Sequence, residues 1–142
     1  GAVQAVQAVS NVAGRYSTIT FEQWEVHMLL AKNPAGWQEA LSMVDRTADG
    51  IVISVNGQVA DGEDLSWLWD VSFEAFENTH IAGERGTDLA VRLIYADVPH
   101  THVPNTVAAI RSCPPGRVEV LANYTAFRDL KKALEKITEV RK

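Results

Sequence analysis

Four groupings in this sequence are of residue types that do chemistry. Lys32 and Asn33 stand in Ala31-Lys32-Asn33-Pro34-Ala35-Gly36-Trp37, just ahead of a helical pattern. A compact ammonium, an amide that donates and accepts, and the free N–H groups of a helix start together suit a carboxylate or phosphate. An ordinary strand–helix turn accounts for Asn33 and Pro34 equally. Asp61, Glu63, Asp64 and Asp70 lie in the stretch NGQVADGEDLSWLWD (Asn56–Asp70), beside Trp67 and Trp69. Carboxylates held against aromatic walls have perturbed proton affinities and serve as bases, histidine-orienting groups or Mg²⁺ ligands. The bland reading is a polar loop with acids as caps and turns and two tryptophans in the core; a loop this long is nevertheless of a functional length.

The remaining reactive side chains point to less. His27 falls in an apolar run and is expected to be a satisfied core residue. His100 and His102 are two apart on a strand, with no third ligand evident, and read as solvated or structural. Cys113, the single cysteine, precedes Pro114-Pro115-Gly116 and is expected to be an inert thiol; standing alone, it excludes an internal disulfide or a thiolate metal cluster. Gly83-Glu84-Arg85-Gly86 forms no dinucleotide pattern, and GxxxxGK[ST], CxxC and HExxH are absent, so no segment can cradle a triphosphate alone.

The elements that must position these groups alternate between strand and helix patterns. Tyr16–Phe21 and Val26–Ala31 read as a hairpin, and Trp37–Val44 as a helix with Trp37, Ala40, Leu41 and Val44 on one face. Ile51–Val55 is β-branched at almost every position, the clearest strand. Asp70 or Ser72 is placed to cap a short helix through Phe76. Thr79–Ala82 reads as a strand, Gly83 as the opening of a helix with Leu89, Leu93 and Ile94 facing inward. Val98–Val103, Thr106–Arg111, Val118–Ala122 and Thr125–Val140 follow as strand, helix, strand and helix, the last carrying Phe127, Leu130, Leu134 and Ile137 at helical spacing. This alternation predicts an α/β domain of Rossmann-like type: three layers, a mainly parallel sheet and a leading antiparallel hairpin. Ligands of such sheets sit at the carboxyl ends of the strands, which singles out Ala31–Trp37, Asn56–Asp70 and Asn123-Tyr124-Thr125. Gly1–Val12, an uncharged Ala-Val-Gln repeat, reads as the tail of a preceding domain's helix ended by Gly14. Residues 1–13 are thus assigned to that tail and 14–142 to one domain.

Composition bounds the function. The 142 residues are 46% hydrophobic with four Trp, enough for one sizeable core. A net charge of −5 argues against nucleic acid or an anionic membrane as partner. There is no transmembrane-length apolar run and no signal-peptide pattern, so the expected location is cytoplasmic.

The ordered motifs AKNPAGW (Ala31–Trp37), ADGEDLSWLWD (Ala60–Asp70), GERGTDLAVRLIYA (Gly83–Ala96) and LANYTAF (Leu121–Phe127) resemble the C-terminal domain of the MurT family over roughly Gly14–Leu134. MurT is the Mur-ligase-like subunit of lipid II isoglutaminyl synthase, and the flavour of this sequence is similar to actinobacterial versions. The resemblance implies a Mur ligase C-terminal fold. It also implies a partner, the glutamine amidotransferase GatD, whose ammonia converts the ATP-activated α-carboxylate of D-glutamate in the lipid II stem peptide to D-isoglutamine. It places ATP, Mg²⁺ and, in many members, a zinc site in a central domain not included in this chain, and leaves this chain inactive alone. By resemblance, Lys32 is the candidate for the D-glutamate carboxylate or acyl phosphate and Asn33 for a cleft hydrogen bond. An aspartate of this domain would complete the Cys–His pair of GatD, with Asp64 first, Asp70 second and Asp61 third. Trp67 and Trp69 are expected as interface anchors or core, core being favoured. Other readings are a stand-alone module binding a small acidic metabolite or nucleotide, a pure scaffold for a partner, and a generic Rossmann-like domain.

Overall fold

The computed structural model describes residues 16–45, 47–58, 66–71, 73 and 79–140. The expected helix tail before Gly14, Asp61, Asp64 and the segment from Ser72 to Phe76, apart from Phe73, lie outside the described residues.

Six strands form one sheet. Strand β1 (Tyr16–Phe21) and β2 (Trp24–Leu30) pair antiparallel, followed by helix α1 (Pro34–Met43) and β3 (Gly50–Ser54). A 3₁₀ helix (Ser66–Asp70), β4 (Thr79–Ala82), α2 (Gly86–Tyr95), β5 (His100–His102), α3 (Thr106–Arg111), β6 (Gly116–Ala122) and α4 (Tyr124–Val140) complete the chain. The order across the sheet is β1-β2-β6-β3-β4-β5, with every pair parallel except the leading hairpin at one edge. The expected class therefore holds.

Side-chain alternation along the strands divides the core in two. On one face Leu29, Ile51, Ile53, Ile81 and Leu121 pack against Trp37 and Leu41 of α1, Leu68 of the 3₁₀ helix, and Leu89 and Leu93 of α2. On the other, Val26, Met28, Val52, Val118 and Val120 meet Ala109 and Ile110 of α3 and Phe127, Leu130 and Leu134 of α4. β3 is buried at all five positions, as a strand covered on both faces must be. Helix α1 starts three residues earlier than the apolar spacing suggested, because Asn33 caps it and Pro34 fits its first turn.

Three further expectations change. Ile94 is 62% exposed: α2 turns Leu89 and Leu93 inward, and Ile94 lies a further 100° around the helix. α2 opens at Gly86, not Gly83. Gly83 has φ +93°, and a Cβ there would run into the Val55 backbone, so glycine is what lets the chain leave β4 beside the end of β3. Asp70 ends a 3₁₀ helix where it was expected to begin an α-helix.

One acid sits inside this frame. Glu119 is buried in β6, level with His27 of β2. Its Oε1 accepts from the Asp45 N–H (3.1 Å) and its Oε2 lies 3.6 Å from His27 Nδ1. His27 also meets the Tyr16 hydroxyl and Glu25, so it is partnered on both nitrogens, as expected of a core histidine. Burial pushes the Glu119 carboxyl up, partly countered by His27 and Arg117. A carboxyl raised in the folded state contributes stability below its unfolded value of about 4.3, lost as pH rises through the folded one. Glu119→Gln keeps the acceptor for Asp45 and removes the buried charge. It is expected to stabilise the domain by about 1 kcal/mol at neutral pH. That advantage should vanish near pH 4 (roughly the unfolded carboxyl value). Thermal melts of both proteins across pH check this; a pH-independent difference would refute it.

Candidate functional site at the strand ends

The parallel ladder runs past the ends of β2, β6 and β3 and is closed there by two asparagines. Asn123 takes both polar groups of one peptide residue: its Oδ1 accepts from Asn56 N–H (3.0 Å) and its Nδ2 donates to Asn56 C=O (2.6 Å). The Asn56 side chain in turn accepts from Glu84 N–H (2.9 Å), and Arg85 N–H donates to Val55 C=O (2.9 Å). Both asparagines are buried, so these bonds replace water outright. The Glu84 carboxylate then accepts from Gly57 N–H (3.4 Å) and Gln58 Nε2 (3.2 Å). The loop after β3 is thereby rooted on the ends of β6 and β4. Sequence reasoning singled out both segments without pairing them, since the partners are 67 residues apart.

Lys32 and Asn33 sit side by side on this edge, both exposed, and only one keeps its expected freedom. Asn33 is the N-cap of α1, its Oδ1 accepting from Gly36 N–H (2.8 Å), so any role in a cleft falls to its amide nitrogen. Lys32 Nζ lies 5.7 Å from the Tyr124 ring centroid, and the Arg128 guanidinium reaches the same ring at 5.9 Å. Tyr124 and Arg128 are one turn apart on α4 and face the loop after β2. Arg128 is also paired with the Asp129 carboxylate at 3.2 Å, so the charge that this ring offers to a carboxylate or phosphate is chiefly that of Lys32. Tyr124 and Arg128 were missed because no local motif marks them; their signal is an i,i+4 pair beside a strand end.

Of the three acidic candidates, Asp61 and Asp64 lie outside the described residues, and Asp70 is exposed at the end of the 3₁₀ helix. That helix is stapled down by Arg92 of α2, which is 6% exposed and donates to Leu68 C=O (2.8 Å) and Val71 C=O (2.6 Å). The same guanidinium lies 5.4 Å from the rings of Trp69 and Phe73. Leu68 is buried beneath it, but Trp69 is 51% exposed, which corrects its expected place in the core. The side chain of Trp67 lies outside the described part. Trp69 packs edge-on against Tyr95 at 5.2 Å, and Val91 and Ile94 continue on the outer face of α2. Four large apolar side chains exposed together beside an aspartate form a patch of the kind that binds proteins.

Cys113 is buried and its thiol is pushed up to about 11, so little thiolate forms, in keeping with the inert role expected of it. Its Sγ lies 3.7 Å from His80 Nδ1, and burial lowers the imidazole in turn. Among the described residues no three His, Cys, Asp or Glu side chains group as a metal site. Nor, among those residues, is any helix long and apolar enough to cross a membrane.

Residues 30–127 match the family described as MurT ligase C-terminal. A protein of Streptococcus pneumoniae (strain ATCC BAA-255 / R6), named lipid II isoglutaminyl synthase (glutamine-hydrolyzing) subunit MurT, is 30% identical over 144 residues. That alignment covers 92% of this chain and 32% of the pneumococcal protein. Proteins of the same name from Staphylococcus aureus strains COL and N315 are each 37% identical over 92 residues, 60% of this chain and 21% of theirs. The chain thus spans about a third of the length of the pneumococcal relative.

Proposed function

Because the chain belongs to the MurT ligase C-terminal family, we propose that it is the part of an amidating ligase that receives the amino-acid substrate and docks the ammonia-producing subunit. The reaction is amidation of the D-glutamate α-carboxylate in the lipid II stem peptide. ATP phosphorylates that carboxylate, ammonia attacks the acyl carbon, and phosphate leaves. The ammonia comes from glutamine hydrolysed by a GatD-type amidotransferase. In this reading the ATP and Mg²⁺ contacts and any zinc belong to other parts of a longer protein, and the enzyme works in the cytoplasm.

The observation that carries the reading is the pairing of two surfaces on one domain. The Lys32–Tyr124–Arg128 spot offers positive charge at the strand ends, where a carboxylate or acyl phosphate would lie. The Trp69–Val91–Ile94–Tyr95 face offers an aromatic anchor with Asp70 at its margin, suited to a partner whose active site needs a carboxylate.

The test joins the longer protein containing this chain to its amidotransferase and follows glutamine- and ATP-dependent amidation of lipid II. No amidation would remove the ligase reading and favour a module that binds a small acidic metabolite or nucleotide at the Lys32 spot. The docking face is tested by Ile94→Asp with Tyr95→Ser, both exposed and so mild for folding. Subunit affinity by calorimetry is expected to fall at least tenfold, as for loss of apolar anchors worth about 2 kcal/mol. Unchanged affinity would place the partner elsewhere.

A further inference from the structure

Glu119 carries a polar atom that the fold leaves unsatisfied. Its Oε1 accepts from the Asp45 N–H, but Oε2 is buried and, among the described residues, has no hydrogen-bond partner. Across the β2–β6 ladder it faces His27, whose Nδ1 is 3.6 Å away, too far for a hydrogen bond. The same Nδ1 is 3.2 Å from the hydroxyl of Tyr16 on the edge strand β1, whose ring meets the imidazole edge-on. Two groups on two strands thus compete for one nitrogen.

The number of protons decides which of them holds it. His27 Nε2 lies 2.9 Å from the Glu25 carboxylate, so the neutral imidazole carries its N–H on Nε2 and leaves Nδ1 as an acceptor. Tyr16 then donates to Nδ1; burial and the nearby Glu119 and Glu25 charges keep the proton on the phenol, against the pull of Arg117. A carboxylate Oε2 faces the same lone pair without a proton between them. One added proton reverses this. Carried on Oε2 or on Nδ1, it bonds the carboxyl to the imidazole, and Nδ1 has no lone pair left for Tyr16. The surrounding charges oppose each other: Arg117 of β6 favours the carboxylate but is paired with Asp45 from the loop after α1, while Glu25 of β2 favours the imidazolium. Because the two sites are coupled, the proton belongs to the pair and not to either residue.

We propose that Glu119, His27 and Tyr16 form a proton-operated latch on the edge strand, closed through Tyr16 when the Glu119–His27 pair carries no added proton and released when it takes one up. Strand β1 has a hydrogen-bonded neighbour on one side only, and Tyr16 is its first residue, where residues 1–15 join the sheet. Release therefore loosens the attachment of the preceding polypeptide and leaves the β2–β6 ladder intact. Its direction separates it from general acid unfolding. Glu119, raised by burial, makes the fold as a whole tighter as it gains the proton, whereas the start of β1 loosens.

The test is a pH titration of this chain followed through the His27 ring nitrogens and the Tyr16 resonances, with amide exchange of β1 corrected for its intrinsic rate. Tyr16 is expected to shift with the same midpoint as His27 Nδ1, and protection of the β1 amides to fall severalfold on acidification across it. Glu119→Gln puts an amide donor opposite Nδ1 and so mimics the protonated pair. Tyr16 should then keep its low-pH position at every pH, with β1 protection low throughout. Tyr16→Phe removes the latch and keeps the pair, so β1 protection should be low and independent of pH while His27 still titrates. A Tyr16 signal indifferent to the titration, or one that follows His27 in Glu119→Gln as in wild type, would overturn the proposal. Equal β1 protection in wild type and Tyr16→Phe at neutral pH would do the same. None of these readouts involves amidation, so their failure and the failure of the ligase reading are separate results.

Discussion

Asp64→Asn is expected to lower the glutaminase rate of the assembled complex by roughly 10³–10⁴-fold, while subunit affinity stays unchanged. In the proposed arrangement this aspartate is a positioning residue: it faces the histidine of the partner's Cys–His pair, fixes the tautomer and stabilises the cation that forms. Asparagine has the same size but no charge, and it offers the ring a donor as readily as an acceptor, so the wrong tautomer is tolerated. Asp64 lies outside the described residues, and the described part of the same stretch lies downstream of it. Arg92 holds Leu68 and Val71 down, which leaves Trp69 and Asp70 outward beside Tyr95. Supplied ammonium separates this role from damage to the fold, because ammonium-driven amidation bypasses the histidine and should be kept. Asp70→Asn and Asp61→Asn are the comparison variants, with smaller losses expected. Wild-type glutaminase in all three would mean that the domain gives no carboxylate to the partner and acts there only as a scaffold.

What the sequence made legible was local or periodic. The β-branched run of β3, the Phe127–Leu130–Leu134 stripe of α4 and the alternation of strands with helices each depend on residues within a few positions of one another. They led to the right class and the right edge hairpin. The inserted position of β6 between β2 and β3 was not legible, since nothing in Gly116–Ala122 records which strands flank it. Trp69 and Ile94 were misplaced for one reason: large apolar residues were assigned inward, whereas a buried Arg92 takes the inward place and leaves the outer face of α2 apolar. At the candidate site, Lys32 was visible as a lone cation ahead of a helix. Its companions Tyr124 and Arg128 come from the far end of the chain and meet it only because β2 and β6 are neighbours.

The same long-range closure makes Asn123→Ala the substitution with the largest expected effect on stability. Alanine leaves the N–H and C=O of Asn56 buried with their partner gone, each costing about 1–3 kcal/mol. A total near 3 kcal/mol corresponds to a melting temperature lower by roughly 6–12 °C for a domain of this size. Asn56→Ala removes only the bond to Glu84 N–H and is expected to cost about 1 kcal/mol. Asn123→Asp separates the two halves of the clamp. The carboxylate still accepts from Asn56 N–H but faces Asn56 C=O without a proton, so its folded-state affinity for a proton should be raised. Stability of that variant should then be greatest below about pH 4, the unfolded carboxyl value, and fall as pH rises through the folded one. Wild type lacks this acid, so the gap between the two proteins should widen from acid to neutral pH. A constant gap would mean that water reaches the strand ends and supplies the missing donor. In that case the clamp would not root the loop after β3, and Glu84 would lose its fixed position against Gly57 and Gln58.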